Sequence, residues 1–453
     1  MASKYEMDMT EGPLLSKIIR YSIPLIFTTL LQLFYNAADT IVVGRFSGDA
    51  ALAAVGSTGS LTTMIVQMFF GLSVGTAVVV SQYLGAKDYA KVEKSVHTSV
   101  ALSFASSVLL TVVGIVAARS MLTLMATPAD VIDGATLYMR IYFAGMPGNL
   151  LYNFGSAILR AAGDTKRPLY ILTSTGLINV ILNLILVICF DMGVAGVAIA
   201  TIVSQYISAV LVMAILIRSE NAIHFSWKKL GFDGDALRRI VKIGLPAGIQ
   251  GTIFSISNVI IQSTINSFGT TTIAAVSAAN NLEGFASTTS NAIYQSCLSF
   301  VGQNVGANKL DRVKKTVKMC IFFSATTMTL AGVAIWYFSP SLLTIYTDNP
   351  EVIRIGTQKL LFTSTTHAFA GLMDVMSGAL RGIGKSTVSM INSICGVCGI
   401  RLVYIYTIFR LNPTFNMLNA AYPISWTATF LVHLVVFFFA FRKLEKGEAN
   451  ALT

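Results

Sequence analysis

The sequence predicts an all-α integral membrane protein of twelve transmembrane helices, set in two pseudo-symmetric six-helix lobes. Three observations carry this. First, only 12% of the 453 residues are charged and 54% are hydrophobic. Soluble domains carry about 25% charged residues, so there are too few charges here to coat a water-facing surface. Second, apolar runs such as residues 99–118 and 194–217 are long. A helix of about 20 such residues crosses a hydrocarbon core of about 30 Å, and it satisfies its own backbone groups where no water can. Third, the second half repeats motifs of the first at a fixed spacing.

In chain order the helices are expected at 15–44, 51–84, 92–120, 130–160, 167–190 and 193–218, then at 239–267, 272–305, 311–339, 350–380, 386–410 and 414–441. Several exceed the minimum needed to span, so tilt or extension beyond the lipid is expected. The domains follow: an N-terminal tail at 1–14, a first lobe at 15–218, a polar linker at 219–238, a second lobe at 239–441 and a C-terminal tail at 442–453. The linker contains Lys228, Lys229, Asp233 and Asp235. Glu6, Asp8 and Glu11 precede the first apolar run, the wrong pattern for a cleavable signal peptide.

Lysine and arginine set the orientation. With the N-terminus inside, 25 of them fall on inner segments and five on outer ones: Arg45, Arg119, Arg354, Lys359 and Arg410. Arg140 and Arg401 fall within helices. Both termini are therefore expected in the cytoplasm. The net charge of +11 serves topology rather than nucleic-acid binding, because the basic residues lie between apolar runs and not in a soluble block. The five cysteines lie in or beside apolar segments and form no disulfide framework. Cys395 and Cys398 have the spacing of a redox pair but sit in an apolar helix without the strand context.

The repeat is visible residue by residue. Ile23-Pro24 matches Leu245-Pro246, Ala53-Ala54-Val55 matches Ala274-Ala275-Val276, and residues 82–86 (QYLGA) match 303–307 (QNVGA). Pro128 matches Pro350, and 159–163 (LRAAG) matches 380–384 (LRGIG). The offset stays at 221 to 222 residues, which indicates duplication. Six helices per half relate the halves by an axis along the membrane normal, with a cavity between them.

Ionisable groups inside spans are costly and so mark function. Asp39 leads: Gln32, Tyr35, Asn36 and Asp39 recur at helical spacing as one polar stripe of the first helix. Thr175, Asn179 and Asn183 form a second stripe in helix five, and Thr201, Ser204 and Gln205 lie in helix six. Amides and hydroxyls also glue membrane helices together, so these stripes have a packing role open to them as well. In the second half, Asn280 and Glu283 lie in helix eight, and His367 and Asp374 in helix ten, two turns apart on one face. Each fits a cation or proton site, or an internally satisfied pair. Met373 and Met376 flank Asp374 and supply adaptable apolar wall. Residues 382–387 (GIGKST) resemble the end of a phosphate-binding loop, but Ala379 stands where that loop needs its first glycine, and no strand precedes it. No metal cluster or catalytic triad stands out.

Residues 35–40 (YNAADT), 53–56 (AAVG), 82–86 and 159–165 (LRAAGDT) together resemble the multidrug and toxic compound extrusion (MATE) family over nearly the whole chain, in both halves. The resemblance implies a V-shaped pair of lobes that alternate between inward and outward openings, exporting organic cations or amphipathic drugs in exchange for H⁺ or Na⁺. It lies with the family's DinF-like branch rather than the NorM-like one. In the former, an aspartate of helix one, an asparagine and an aspartate four apart in helix five, and a threonine of helix six hold the cation. Asp39, Asn179 and Thr201 match; Asn183 replaces the second aspartate. The NorM-like glutamate of helix seven has no counterpart, since residues 251–258 contain no acid. Glu283 resembles an acid of helix eight in related bacterial exporters.

The expected site therefore comprises Asp39, Asn179, Asn183, Thr201, Tyr35 and Asn36 for cation coupling. Asp39, Asn179 and Thr201 are the ligands if the ion is Na⁺. Gln32, Glu283, Asn280, His367, Asp374 and Met373 line the substrate cavity. No cofactor beyond the coupling ion and no nucleic-acid partner is expected, and the chain should act as a monomer in a bacterial inner membrane. Two rivals remain: a lipid-linked oligosaccharide flippase, which needs several cationic residues in its cavity, and an intramembrane enzyme.

Overall fold

The computed structural model describes residues 5–125 and 127–447, with only the backbone described at 49, 50, 52 and 60. Every regular element among them is helical. The first three spans are unbroken: α1 (Leu14–Phe46), α2 (Gly48–Gly85) and α3 (Tyr89–Leu124). The fourth is split into α4 (Ile132–Ala144) and α5 (Met146–Ala161) at Gly145. Pro147 lies in the first turn of α5, where it lacks an N–H and cannot continue the preceding helix. The fifth span, α6 (Lys166–Leu184), runs into a π-helical turn, Ile185–Cys189, before α7 (Gly193–Arg218).

The second half begins with α8 (Gly234–Asn266), α9 (Thr270–Gly306) and α10 (Leu310–Leu343). The tenth span, expected as one helix, is also split, into α11 (Pro350–Thr363) and α12 (His367–Gly382). No proline marks this break. Thr365 and Thr366 hydroxyls donate back to the Leu361 and Phe362 carbonyls, and such back-bonding bends helices. The eleventh span is α13 (Ser386–Ser393), a π-helical Ile394–Gly399, α14 (Ile400–Tyr406) and α15 (Ile408–Leu411). The chain ends in α16 (Phe415–Glu445). Among the described residues nine helical stretches are long and apolar enough to cross a membrane. The others are the two split spans and α9, which is 37 residues long but rich in Ser, Thr and Asn.

The chain divides into two compact units: residues 1–8 with 27–248, and residues 9–26 with 249–453. This partition differs from lobes drawn at 15–218 and 239–441. Each long helix α1 and α8 changes unit two residues after its internal proline, Pro24 or Pro246. Packing within each unit explains the exchange. In the second unit, Tyr21 donates to Ser299 at 2.9 Å, Ser22 and Ser296 hydroxyls meet at 2.7 Å, and Tyr21 packs edge-on against Phe300. In the first, α8 crosses α2 glycine on glycine. A Cβ on Gly71 would stand 2.1 Å from the Gly248 nitrogen, and one on Gly75 would stand 2.2 Å from the Ile240 carbonyl. Small residues let membrane helices approach this closely.

Part of the expected N-terminal tail is structural. Met9 is wholly buried; its N–H donates to Gln303 Oε1 at 3.2 Å and its carbonyl accepts from Asn304 at 3.1 Å. Thus the QNVGA motif anchors the chain ahead of α1. In the first unit, Gln82 of QYLGA accepts from Arg239 at the start of α8, at 2.8 Å. Residues 382–385 form a helix end: Gly384 adopts φ +82°, and the Lys385 N–H returns to the Leu380 carbonyl at 2.8 Å. Gly163, its counterpart in the first half, has φ +88°. A left-handed residue here closes the helix, and glycine takes that conformation without a Cβ penalty.

Candidate functional site

In the first unit, α1, α6 and α7 bring four of the expected residues together. Asp39 is half-buried; it accepts from Asn183 Nδ2 on one oxygen and from Thr201 Oγ1 on the other, the latter at 3.4 Å. Asn183 also donates to Asn179 Oδ1 at 3.3 Å. Asn179 and Asn183 are buried, one turn apart on the same face of α6, and the π-helical turn begins two residues after Asn183. Such turns often mark functional sites. No lysine or arginine pairs with Asp39 among the described residues; its only partners are neutral donors. Asn183 Oδ1 is buried and takes no donor. The cluster therefore offers carboxylate, amide and hydroxyl oxygens around one uncompensated negative charge, the hard-donor chemistry that suits a proton or a small cation.

The remaining first-unit residues are placed differently. Tyr35 is partly buried, its hydroxyl donating to the Thr173 carbonyl at 3.2 Å and its ring lying against Gly176. Gln32 and Asn36 are exposed. Asn36 uses its backbone carbonyl to accept from Thr40 at 2.9 Å. Among the described residues no group of three or more His, Cys, Asp or Glu side chains is set to hold a metal ion.

The second unit gathers a denser set of charges. Glu283 of α9 is ion-paired with Lys359 of α11 at 2.8 Å and accepts a second bond from Thr363. Lys359 was expected among the outward-facing loop charges; it is 1% exposed, inside α11. The orientation count read only its place near a helix start, and its partner lies 76 residues away in sequence. His367 and Asp374 share α12 but have different partners. His367 is buried, packs edge-on against Trp426 with centroids 5.5 Å apart, and leaves Nδ1 without a partner. Asp374 accepts from Ser290 at 2.7 Å and lies within Coulombic reach of Arg381. Arg381 is itself buried and donates to Gln250 and Tyr294. Met373 joins Ala370, Val397 and Trp426 in an apolar cluster flanked by Phe254, Tyr422 and Phe430. Asn280 is exposed.

Arg401 completes this set. It is buried in α14, donates from Nε to Ser425 at 2.9 Å, and stacks over Tyr422 and Trp426 at 4.5 and 5.8 Å. The sequence placed Arg401 within a span, but nothing there revealed its aromatic setting. Arg140, the other cation expected within a span, is exposed. Cys395 and Cys398 are free thiols, one exposed and one buried.

Known proteins share this frame. The chain is 26% identical over 389 residues to "Probable multidrug resistance protein YoeA" of Bacillus subtilis, covering 84% of each chain. It is 23% identical over 397 residues to the "FAD transporter" of Shewanella oneidensis, covering 85% of this chain and 86% of that one. A solved outward-facing MATE family multidrug resistance transporter of the MOP superfamily superposes with a TM-score of 0.91 at 21% identity, over 98% of this chain and 100% of the other. The MatE family model matches twice, at residues 24–185 and 246–407. Those two matches take in well over half of the chain, one in each copy of the repeat, and the protein is a member of the MatE family of multi-pass membrane transporters.

Proposed function

We propose that this protein is a secondary active exporter of small amphipathic drugs, organic cations among them, driven by H⁺ or Na⁺ bound at Asp39. The observation that carries the reading is Asp39 itself: an acid inside a membrane span, held by two neutral donors and paired with no cation among the described residues. Such a charge is costly to keep uncompensated in an apolar surround. Taking up a proton or Na⁺ removes that cost and changes what Asn183 and Thr201 bond to. Because those residues sit on α6 and α7, the event alters how α1 packs against both. Pro24 interrupts the hydrogen-bond ladder of the same helix and gives it a place to bend. Alternating access by the two lobes then couples the ion to export, with both termini in the cytoplasm.

The multidrug-resistance name of the B. subtilis relative supports drugs as cargo, and the S. oneidensis relative, named an FAD transporter, supports a flavin as an alternative. The test is dye efflux from proteoliposomes under an imposed pH gradient or Na⁺ gradient, applied separately. Wild-type protein should respond to one of them. Asp39→Asn should insert normally yet show no gradient-driven efflux. Undiminished efflux by that variant would remove Asp39 from the coupling step.

A further inference from the structure

We propose that the second unit contains a docking slot for an anionic group, a carboxylate or a phosphate on an aromatic substrate, built on Arg401 with His367 beside it. The proposal rests on the export reading above and gives it a substrate class.

Arg401 is 5% exposed, and an arginine so buried is ordinarily matched by a carboxylate. Here no Asp or Glu among the described residues pairs with it. Its Nε is held by Ser425 and its plane by two aromatic faces, while its two terminal nitrogens have no acceptor among the described residues. A guanidinium fixed by Nε and presenting a free fork is the shape that binds carboxylate or phosphate two-pronged. His367 shares the Trp426 ring with it, is equally buried, and has Nδ1 unpartnered. It also opens α12, whose cap residue Thr366 gives no side-chain cap, so the positive end of that helix lies at the same place.

The charge balance agrees. The interior of this unit sets Glu283 and Asp374 against Lys359, Arg381 and Arg401, an excess of one positive charge. Glu283 is already neutralised by Lys359, so the surplus falls on Arg401. Trp426, Tyr422, Phe254 and Phe430 pack in one cluster beside it, an aromatic surround suited to a planar cargo.

Binding to purified full-length protein tests this with two rhodamines that differ only in a free carboxylate versus its ethyl ester. Flavin mononucleotide against riboflavin forms a phosphate arm. Wild-type protein should favour at least one acidic partner by about tenfold or more, as a charge-assisted pair implies. The arm that responds identifies the anion. Arg401→Gln should erase that preference, weakening the acid at least about tenfold more than its neutralised form, and Arg401→Lys should restore part of it. Equal wild-type affinities in both arms would overturn the proposal, as would a variant that weakens acid and ester alike. If Arg401→Gln does not fold, the wild-type comparison still decides. The titration needs no gradient, so a failure of gradient-driven efflux, which would sink the export reading, is scored separately from a failure of anion preference.

Discussion

The two halves of this transporter share a helical frame and differ in the chemistry placed on it. The first unit pairs its buried Asp164 with Arg167 but holds Asp39, in mid-span, among amides and a hydroxyl, with no cation paired to it among the described residues. The second holds Glu283 already paired with Lys359, Asp374 near Arg381, and Arg401 with no carboxylate partner among the described residues. At the repeat offset the position of Asp39 is occupied by Ile261 (39 + 222 = 261), buried in an apolar cluster. Duplication thus preserved the helices and their breaks while the buried charges diverged. A lobe with an unbalanced acid is suited to cycling a small cation. A lobe whose acids are matched and whose extra charge is positive is suited to holding cargo.

Lys359→Met should have the largest effect on stability and should sharpen this contrast. Removing one member of a buried pair leaves an uncompensated charge and costs about 3–5 kcal/mol, read as a lowered unfolding temperature in detergent. The double variant Glu283→Gln/Lys359→Met should recover most of that loss. If the single variant is as stable as wild type, Glu283 was never held by Lys359, and the second lobe has a free acid like the first.

Gly176→Ala tests the seat of the first site. A Cβ there would fall 1.8 Å from the Tyr35 ring, forcing the ring off the Thr173 carbonyl. Overpacking of this kind typically costs about 1–3 kcal/mol. The loss should show as a lowered unfolding temperature in detergent, and a Gly176→Ala variant as stable as wild type would deny that Tyr35 needs this glycine.

Asn183→Asp carries the smallest expected effect, and a diagnostic one. It places a second carboxylate against Asp39 and moves the site towards the two-acid pattern of the DinF-like branch. Efflux should gain Na⁺ dependence, with half-saturation shifted by about tenfold for one added ligand charge. An unchanged Na⁺ response would mean that the amide, not the missing charge, sets ion choice.

Much of this was legible in the residues alone. Scarce charge and long apolar runs fixed the membrane class, because lipid admits so few backbone solutions. The constant spacing between Pro24 and Pro246, and between QYLGA and QNVGA, fixed the duplication. Helical periodicity put Asn179 and Asn183 on one face, since four residues make about one turn. Folding decided what depends on contacts distant in sequence. It brought Asp39 to Asn183 across 144 residues and Glu283 to Lys359 across 76. It buried Lys359 where the charge count had placed it outside, and it exchanged the leading segments of α1 and α8 between the two units. Periodicity reports which face of a helix a side chain occupies, but the partner on that face is chosen by packing, and the partner determines whether a buried charge is spent or available.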